Sequence, residues 1–200
     1  MNHALKFSLL LVLCLPAAGL AQTANVPSTA APPATSTQQP FDLAAAQQAA
    51  QQNPNDPEAW SNLAAAAKWT GNQQVEIDAL QHIVDAQPKS AKSWTRLGDL
   101  LRAQKQSAAS AGAYQNAVKA NPNLAGAWHG LGNAQVDLGQ LNEAVASLKK
   151  AVALEPQLVQ GWTDLANVLQ NLKQDAQAAA ARFQAEQAKL AQQAQQAMKK

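Results

Sequence analysis

From position 41 onward, apolar residues recur three and four apart rather than two apart. Trp60, Leu63, Ala64 and Ala67 fall at i, i+3, i+4 and i+7 and so share one face of a helix. Asp56 stands where an N-cap belongs, Pro57 at the first helical position and Glu58 in the first turn, where a carboxylate meets the positive end of the helix dipole. Gly71-Asn72 then turns the chain. A second helical run follows through Val75, Ala79, Leu80, Ile83 and Val84, and Pro88 ends it because proline cannot continue a helix.

This pair of helices recurs. Trp60, Trp94, Trp128 and Trp162 are spaced by 34 residues each time. Leu63, Leu97, Leu131 and Leu165 keep the same interval, and so do Pro54, Pro88, Pro122 and Pro156. The residue after each leucine is small: Ala64, Gly98, Gly132, Ala166. A single hairpin of helices cannot bury its own apolar face, so units of one period must stack on one another. The columns divide the chain into units at 57–90, 91–124 and 125–158, with a fourth over 159–200. Residues 41–56 read as a half-unit, because the run FDLAAAQQAAQQ ends at Asn53-Pro54 and that proline matches the closing proline of a unit. At the other end, Gln174 to about Met198 reads as one long helix, along which Ala176, Phe183, Leu190 and Ala197 recur every seven residues. Its polar remainder suits a solubilising cap. A seam for a partner helix, or for a second copy in a homo-oligomer, is the alternative use of that stripe.

A 34-residue period with Trp, then Leu-Gly or Leu-Ala three residues on, and a closing proline resembles the tetratricopeptide repeat. The resemblance covers about 140 of the 200 residues. Unit three carries it most fully, with Trp128, Leu131, Gly132, Gly139, Ala144, Leu148, Ala151 and Pro156. Unit two keeps Trp94, Leu97, Gly98, Tyr114, Ala117 and Pro122 but has Lys105 where a turn glycine is usual. Unit one has Glu76 where a small residue is expected, which predicts looser packing there, and unit four has Leu190 in place of the closing proline.

The resemblance implies an all-α fold: an α-solenoid of stacked helix-turn-helix units with a long C-terminal capping helix, its first helices lining a concave side. It also implies inward-facing side chains at positions 2, 5, 9, 12 and 13 of each unit, among them Lys68, Trp69, Thr95, Asp99, Arg102, His129, Asn133, Thr163, Asn167 and Gln170. Asn133 and Asn167 occupy the same position of successive units, with Asp99 one unit earlier. An amide side chain both donates and accepts, so such a ladder suits the backbone of an extended peptide; a merely solvated groove is the alternative. Trp69 lies outside the repeated columns and is either a groove anchor or, the expected reading, core under the N-terminal half-unit. The family's clamp for acidic chaperone tails places Lys and Asn at positions 5 and 9 of its first unit, where this chain has Ser61 and Ala65.

Composition narrows the role. Hydrophobic residues make up 47% and charged residues 14%, with 46 alanines and 27 glutamines, good helix formers that leave little room for a sheet. Fifteen basic residues against 13 acidic ones give a formal charge of +2, without the concentrated basic face that nucleic acid requires. One cysteine excludes a disulfide framework and a Cys-based zinc site, and His3, His82 and His129 lack metal-ligand spacing. No P-loop, G-x-S-x-G, HExxH or glycine-rich dinucleotide turn is present, and Asp137 and Glu143 read as solvated carboxylates flanking a turn. The expectation is a non-enzymatic scaffold or adaptor, with no cofactor and no small-molecule substrate, that holds a peptide or helix of an envelope or secreted protein. A holdase chaperone calls for an apolar groove, whereas the inward positions here are mostly polar; self-association through the C-terminal helix is the other alternative.

The first 21 residues add an address. Lys6, an apolar run from Phe7, Pro16, and small residues at Gly19 and Ala21 form the three-part pattern of a secretory signal peptide cut after Ala21. The apolar stretch to Leu20 is about 14 residues, short of the roughly 20 needed to span a bilayer, so membrane contact is expected only if it stays uncleaved. Cys14 lies inside the run and follows Leu13, so it reads as ordinary filler rather than a lipidation site. Residues 22–40, with Pro27, Pro32, Pro33 and Pro40, read as a disordered or extended linker. The expected location is the periplasm or the exterior.

Overall fold

The computed structural model describes residues 42–199; the leader and linker expected over 1–40, with Cys14, lie outside the described residues. Among the described residues there are nine helices and no strand: α1 (Leu43–Gln52), α2 (Pro57–Thr70), α3 (Gln73–Ala86), α4 (Ala91–Ala103), α5 (Ser107–Ala120), α6 (Ala125–Asp137), α7 (Leu141–Leu154), α8 (Val159–Asn171) and α9 (Asp175–Ala197). None of them is long and apolar enough to cross a membrane.

Local chemistry sets the helix ends. Asp42 accepts from the amides of Ala44 and Ala45 at 2.9 and 3.2 Å, Asp56 from Glu58 at 3.0 Å and Asn72 from Val75 at 3.3 Å, so side chains cap α1, α2 and α3. Every unit then turns in one way. Gly71, Lys105, Gly139 and Lys173 occupy equivalent places and adopt φ of 72, 63, 74 and 57°. The following amide donates five residues back in each case: Asn72 to Ala67, Gln106 to Leu101, Gln140 to Gln135 and Gln174 to Leu169, all at 2.8–2.9 Å. That bond satisfies a carbonyl the helix would leave unpaired and holds two lysines in a backbone that favours glycine.

The tryptophan and proline columns share a period because they share a hydrogen bond. The indole N–H of Trp60, Trp94, Trp128 and Trp162 donates to the carbonyl of Pro54, Pro88, Pro122 and Pro156 at 2.9, 2.9, 2.7 and 3.0 Å. Each ring then packs between units: Trp60 touches the cores on both sides of α3, and Trp94 does the same around α4. Burial is spread along four such clusters, centred on residues such as Leu63, Leu97, Tyr114 and Leu148. This is the stacked, neighbour-only core of a solenoid.

Helices pack on their neighbours in sequence, and α4 also approaches α6, and α6 approaches α8, to within 8 Å between Cα atoms. The second helices α5 and α7 do not, so the first helices line the inner side. In contrast to these pairs, α2 and α4 stay apart. The cause sits at Glu76, buried where later units have Ser110, Ala144 and Ala178. Its two oxygens accept from Arg96 Nε and Nη2 at 2.6 and 2.8 Å, so an ion pair fills the joint between the first two units.

The last helix closes the stack. Ala178, Ala181 and Ala188 of α9 are buried against the preceding helices. Earlier second helices offer the next unit Leu80-Ile83-Val84, Tyr114-Ala117-Val118 and Leu148-Ala151-Val152; α9 offers Arg182, Ala185 and Glu186 at those places.

Candidate functional site

The inner side holds a polar cleft built from three parallel first helices. Position 9 supplies Asp99 from α4, Asn133 from α6 and Asn167 from α8; position 13 supplies Asp137 and Asn171. These places lie one helical turn apart, so the side chains form two short rows. A hollow of about 200 Å³ is bounded by Arg102, Asn133, Asp137, Asp164, Asn167 and Asn171. A second, of about 460 Å³, adjoins it across the Arg102–Asp137 wall and is bounded by Asp99, Lys105 and Ser107.

Bonds between helices fix the walls. Arg102 Nε donates to Asp137 Oδ2 at 2.7 Å, joining α4 to α6. His129 Nε2 lies 2.7 Å from Asp164 Oδ2, joining α6 to α8, and Asn133 Nδ2 lies 3.2 Å from the same ring nitrogen. Gln160 Nε2 donates to the other Asp164 oxygen at 2.8 Å. Burial alone would push the Asp164 carboxyl up; hydrogen bonds from His129, Gln160 and Asn133 outweigh it and hold the group below the ordinary carboxylate value. The Tyr114 hydroxyl donates to Asp99 Oδ1 at 2.6 Å, and burial, then that bond, keeps the phenol protonated far above its ordinary range. Asn167 and Asn171 are exposed and have donors and acceptors directed to the cleft side of the array. Among the described residues no group of three or more His, Cys, Asp or Glu side chains could hold a metal.

Four of the residues expected from the sequence meet here: Asp99, Arg102, Asn133 and Asn167. His129 stands one turn before Asn133, bonded to Asp164. Thr95 and Thr163 spend their hydroxyls on their own helices, donating to Ala91 at 2.8 Å and Val159 at 3.0 Å. Gln170 accepts from Arg182 Nη2 and so faces α9. Lys68 and Trp69 lie on α2, away from the cleft walls, because α2 does not approach α4. The expectation that Trp69 is core is corrected: the ring is 63% exposed. Asp137 is not a free solvated carboxylate but half of an inter-helix ion pair. Asp164 escaped the sequence reading because it stands at position 6, which the spacing rule skips, and the residues at that position in the earlier units, Arg96 and Gly130, give no signal of it.

A second surface has the opposite character. On the outer side, between α7 and α9, an apolar slot of about 500 Å³ is floored by Trp162, Leu165 and Leu169, with Val152 and Ala181 on its walls.

Comparison with known proteins agrees with this architecture. Tetratricopeptide-repeat models match residues 91–124 and 113–146, and a TPR-repeat model matches residues 132–173. A crystal structure of MamA superposes with a TM-score of 0.70 at 19% identity, over 75% of this chain and 88% of that one. MamA from Desulfovibrio magneticus RS-1, from its residue 41 to the end, gives 0.67 at 23% identity over 75% and 85%. YrrB, described as a TPR protein with an unusual peptide-binding site, gives 0.66 at 16% identity over 73% and 75%. At these identities the likeness is one of fold. No curated protein matches the sequence. The chain is a tetratricopeptide-repeat protein.

Proposed function

We propose that this tetratricopeptide-repeat protein is a non-catalytic scaffold whose inner cleft holds an extended peptide segment or helix of another protein. The observation that carries the reading is the convergence of Asp99, Arg102, Asn133, Asp137, Asn167 and Asn171, from three helices, on one cleft. Solenoids present extended inner surfaces of this kind to partners. The amides of Asn167 and Asn171 offer paired donors and acceptors matched to a peptide backbone, beside Asn133, whose amide nitrogen lies against His129. Arg102 and the aspartates add charge selectivity. The leader-like first 21 residues extend the proposal to the place of action: an envelope or secreted partner.

The outer apolar slot favours a second reading, a holdase that takes apolar segments of many clients. One experiment separates the two. A photo-reactive residue replaces Asn167 in one variant and Gln184, on the slot rim, in another, and adducts formed in cells are identified by mass spectrometry. One or two discrete adducts at Asn167, lost on Asn133→Ala with Asn171→Ala, support the scaffold. Many unrelated adducts at Gln184, with none at Asn167, overturn it in favour of the holdase.

A further inference from the structure

Trp60, Trp94 and Trp162 stand at one position of their units, each half-buried, and differ in what covers the ring. At Trp60 the chain supplies the cover itself. The imidazole of His82 stacks on the indole, with ring centres 3.8 Å apart and planes 12° from parallel. At the place of His82 the second unit has Asn116, the third Lys150 and the fourth Gln184, none of which carries a ring. The second and fourth joints are open there. A hollow of about 390 Å³ runs past Pro88, Trp94 and Asn116, and the outer slot of about 500 Å³ runs past Pro156, Trp162 and Gln184.

The first unit therefore shows what this position accepts: a flat ring laid on the indole. The slot at Trp162 suits one, since Val152, Leu165 and Leu169 add apolar surface on which a ring gains from burial as well as from stacking. Charge adds a second condition. Lys149 lines this slot, and Lys89 and Lys119 line the hollow at Trp94, so among the described residues every charged group bordering either opening is a cation. A partner that carries negative charge beside its ring complements both.

We propose that the outer slot at Trp162 is a binding site for an aromatic side chain of a partner protein, on a segment with a carboxylate beside the ring. The ring stacks on Trp162 as His82 does on Trp60, and the carboxylate meets Lys149. The hollow at Trp94 offers the same chemistry a second time. A holdase takes any apolar segment, whereas this site selects flatness and charge. It does not depend on what the inner cleft holds.

Nuclear magnetic resonance of the isotope-labelled full chain tests it, because the indole N–H of each tryptophan gives its own signal. The probe is the peptide acetyl-Glu-Ala-Phe-Ala-Glu-amide. A ring stacked on an indole shifts its N–H signal, so titration is expected to move the signals of Trp162 and Trp94 and to leave that of Trp60, whose face His82 already holds. Cyclohexylalanine in place of phenylalanine keeps the bulk and removes the flat π-face, and should bind about three- to tenfold more weakly. Lysine in place of the glutamates, or Lys149→Gln in the protein, should weaken binding about two- to fivefold. Trp162 is left in place, because its indole bond to Pro156 belongs to the fold. Gln184→His instead gives the fourth unit the cover of the first. It should keep the melting temperature and cut binding at Trp162 by at least about tenfold, while Gln184→Ala, which only clears the position, binds as well as the natural chain or better. An unmoved Trp162 signal at millimolar peptide, equal binding of the cyclohexylalanine peptide, or undiminished binding in Gln184→His each overturns the proposal.

Discussion

The joint between α3 and α4 and the joint between α5 and α6 occupy equivalent places in successive units, yet they are made of opposite chemistry. In the first, a buried Glu76 meets a half-buried Arg96 as an ion pair. In the second, Ser110 and Gly130 stand at those places, and the ring of Tyr114 fills the space. Ser110 turns inward and donates to the Gly98 carbonyl at 2.9 Å. An alanine Cβ at Gly130 would lie 2.3 Å from Tyr114 Cε1, and one at Gly98 would lie 2.8 Å from it, so the ring rests directly on two helix backbones. The repeat therefore requires filled volume and satisfied polar groups at this joint, not a given residue. The choice has a consequence for the inner side: with glycine at position 6, α6 comes up against α4, whereas with arginine there, α4 stays away from α2. The cleft begins where the ion pair ends.

The harshest test breaks the ionic joint from its exposed side. Arg96→Ala leaves Glu76 buried without its partner and is expected to cost about 3–5 kcal/mol, read by urea unfolding. Glu76→Ala places in unit one the small residue that units three and four use, and leaves Arg96, which is 38% exposed, to hydrate. It is expected to cost about half as much or less, because no buried charge is stranded. Equal losses from the two variants would mean that the pair acts through its attraction and not through the burial of Glu76.

The aromatic joint breaks by addition rather than removal. Gly130→Ala forces the Tyr114 ring away from its bond to Asp99, and overpacking of this kind costs about 1–3 kcal/mol. Gly126, in the same helix α6, has no atom within 4 Å of the built Cβ, so Gly126→Ala is expected to stabilise by up to about 1 kcal/mol through helix propensity alone. Tyr114→Leu, the residue that Leu80 and Leu148 supply at that position, rescues Gly130→Ala if the ring is the obstacle. Failure of that rescue would place the strain elsewhere.

A third joint sharpens the contrast through pH. At position 6 the fourth unit has Asp164, which bonds His129 and Gln160 rather than a second helix. Its carboxyl titrates below the ordinary value in the folded chain, so its contribution is complete above the unfolded aspartate value of about 3.9 and is lost as pH falls through the lowered folded value. Stability of the natural chain should therefore decline below about pH 4 more steeply than that of Asp164→Asn, with the two curves parallel at neutral pH. Parallel curves down to pH 2 would show that the bonds to Asp164 carry no net stabilisation.

These joints also mark what the sequence could and could not tell. The 34-residue columns of Trp, Leu and Pro announced the stack, because each column answers a need that every unit shares. Neither the indole-to-proline bond nor the side chains at the joints were legible that way. The joint residues Glu76 and Arg96 are 20 apart and belong to different units, so no column contains both. In the cleft, Asn133 and Asn167 were legible as a recurring position, while Asp164 was hidden because its neighbours in the column, Arg96 and Gly130, share nothing with it. Trp69 misled for a related reason: a tryptophan outside the columns suggests core by its size, but α2 has no first helix beside it to cover the ring.

The smallest expected change tests the element that both joints have in common, the turn inside each unit. Lys105 and Lys173 adopt positive φ where Gly71 and Gly139 stand in the other two units. A left-handed residue with a Cβ costs about 1–2 kcal/mol, and glycine gives back roughly 0.5–1 kcal/mol of that as lost freedom in the unfolded chain. Lys105→Gly should then stabilise by about 0.5–1 kcal/mol, a rise of roughly 1–4 °C in melting temperature for a chain of this size. Lys173→Gly should do the same, and the gains should add, since the two turns lie in different units with no shared partner. Because the five-residue-back bonds of Gln106 and Gln174 exist with lysine in place, glycine changes only the strain and not the connection. A loss of stability in either variant would show that the lysine side chain itself contributes, and at Lys105, which borders the larger inner hollow, that contribution would be to the cleft.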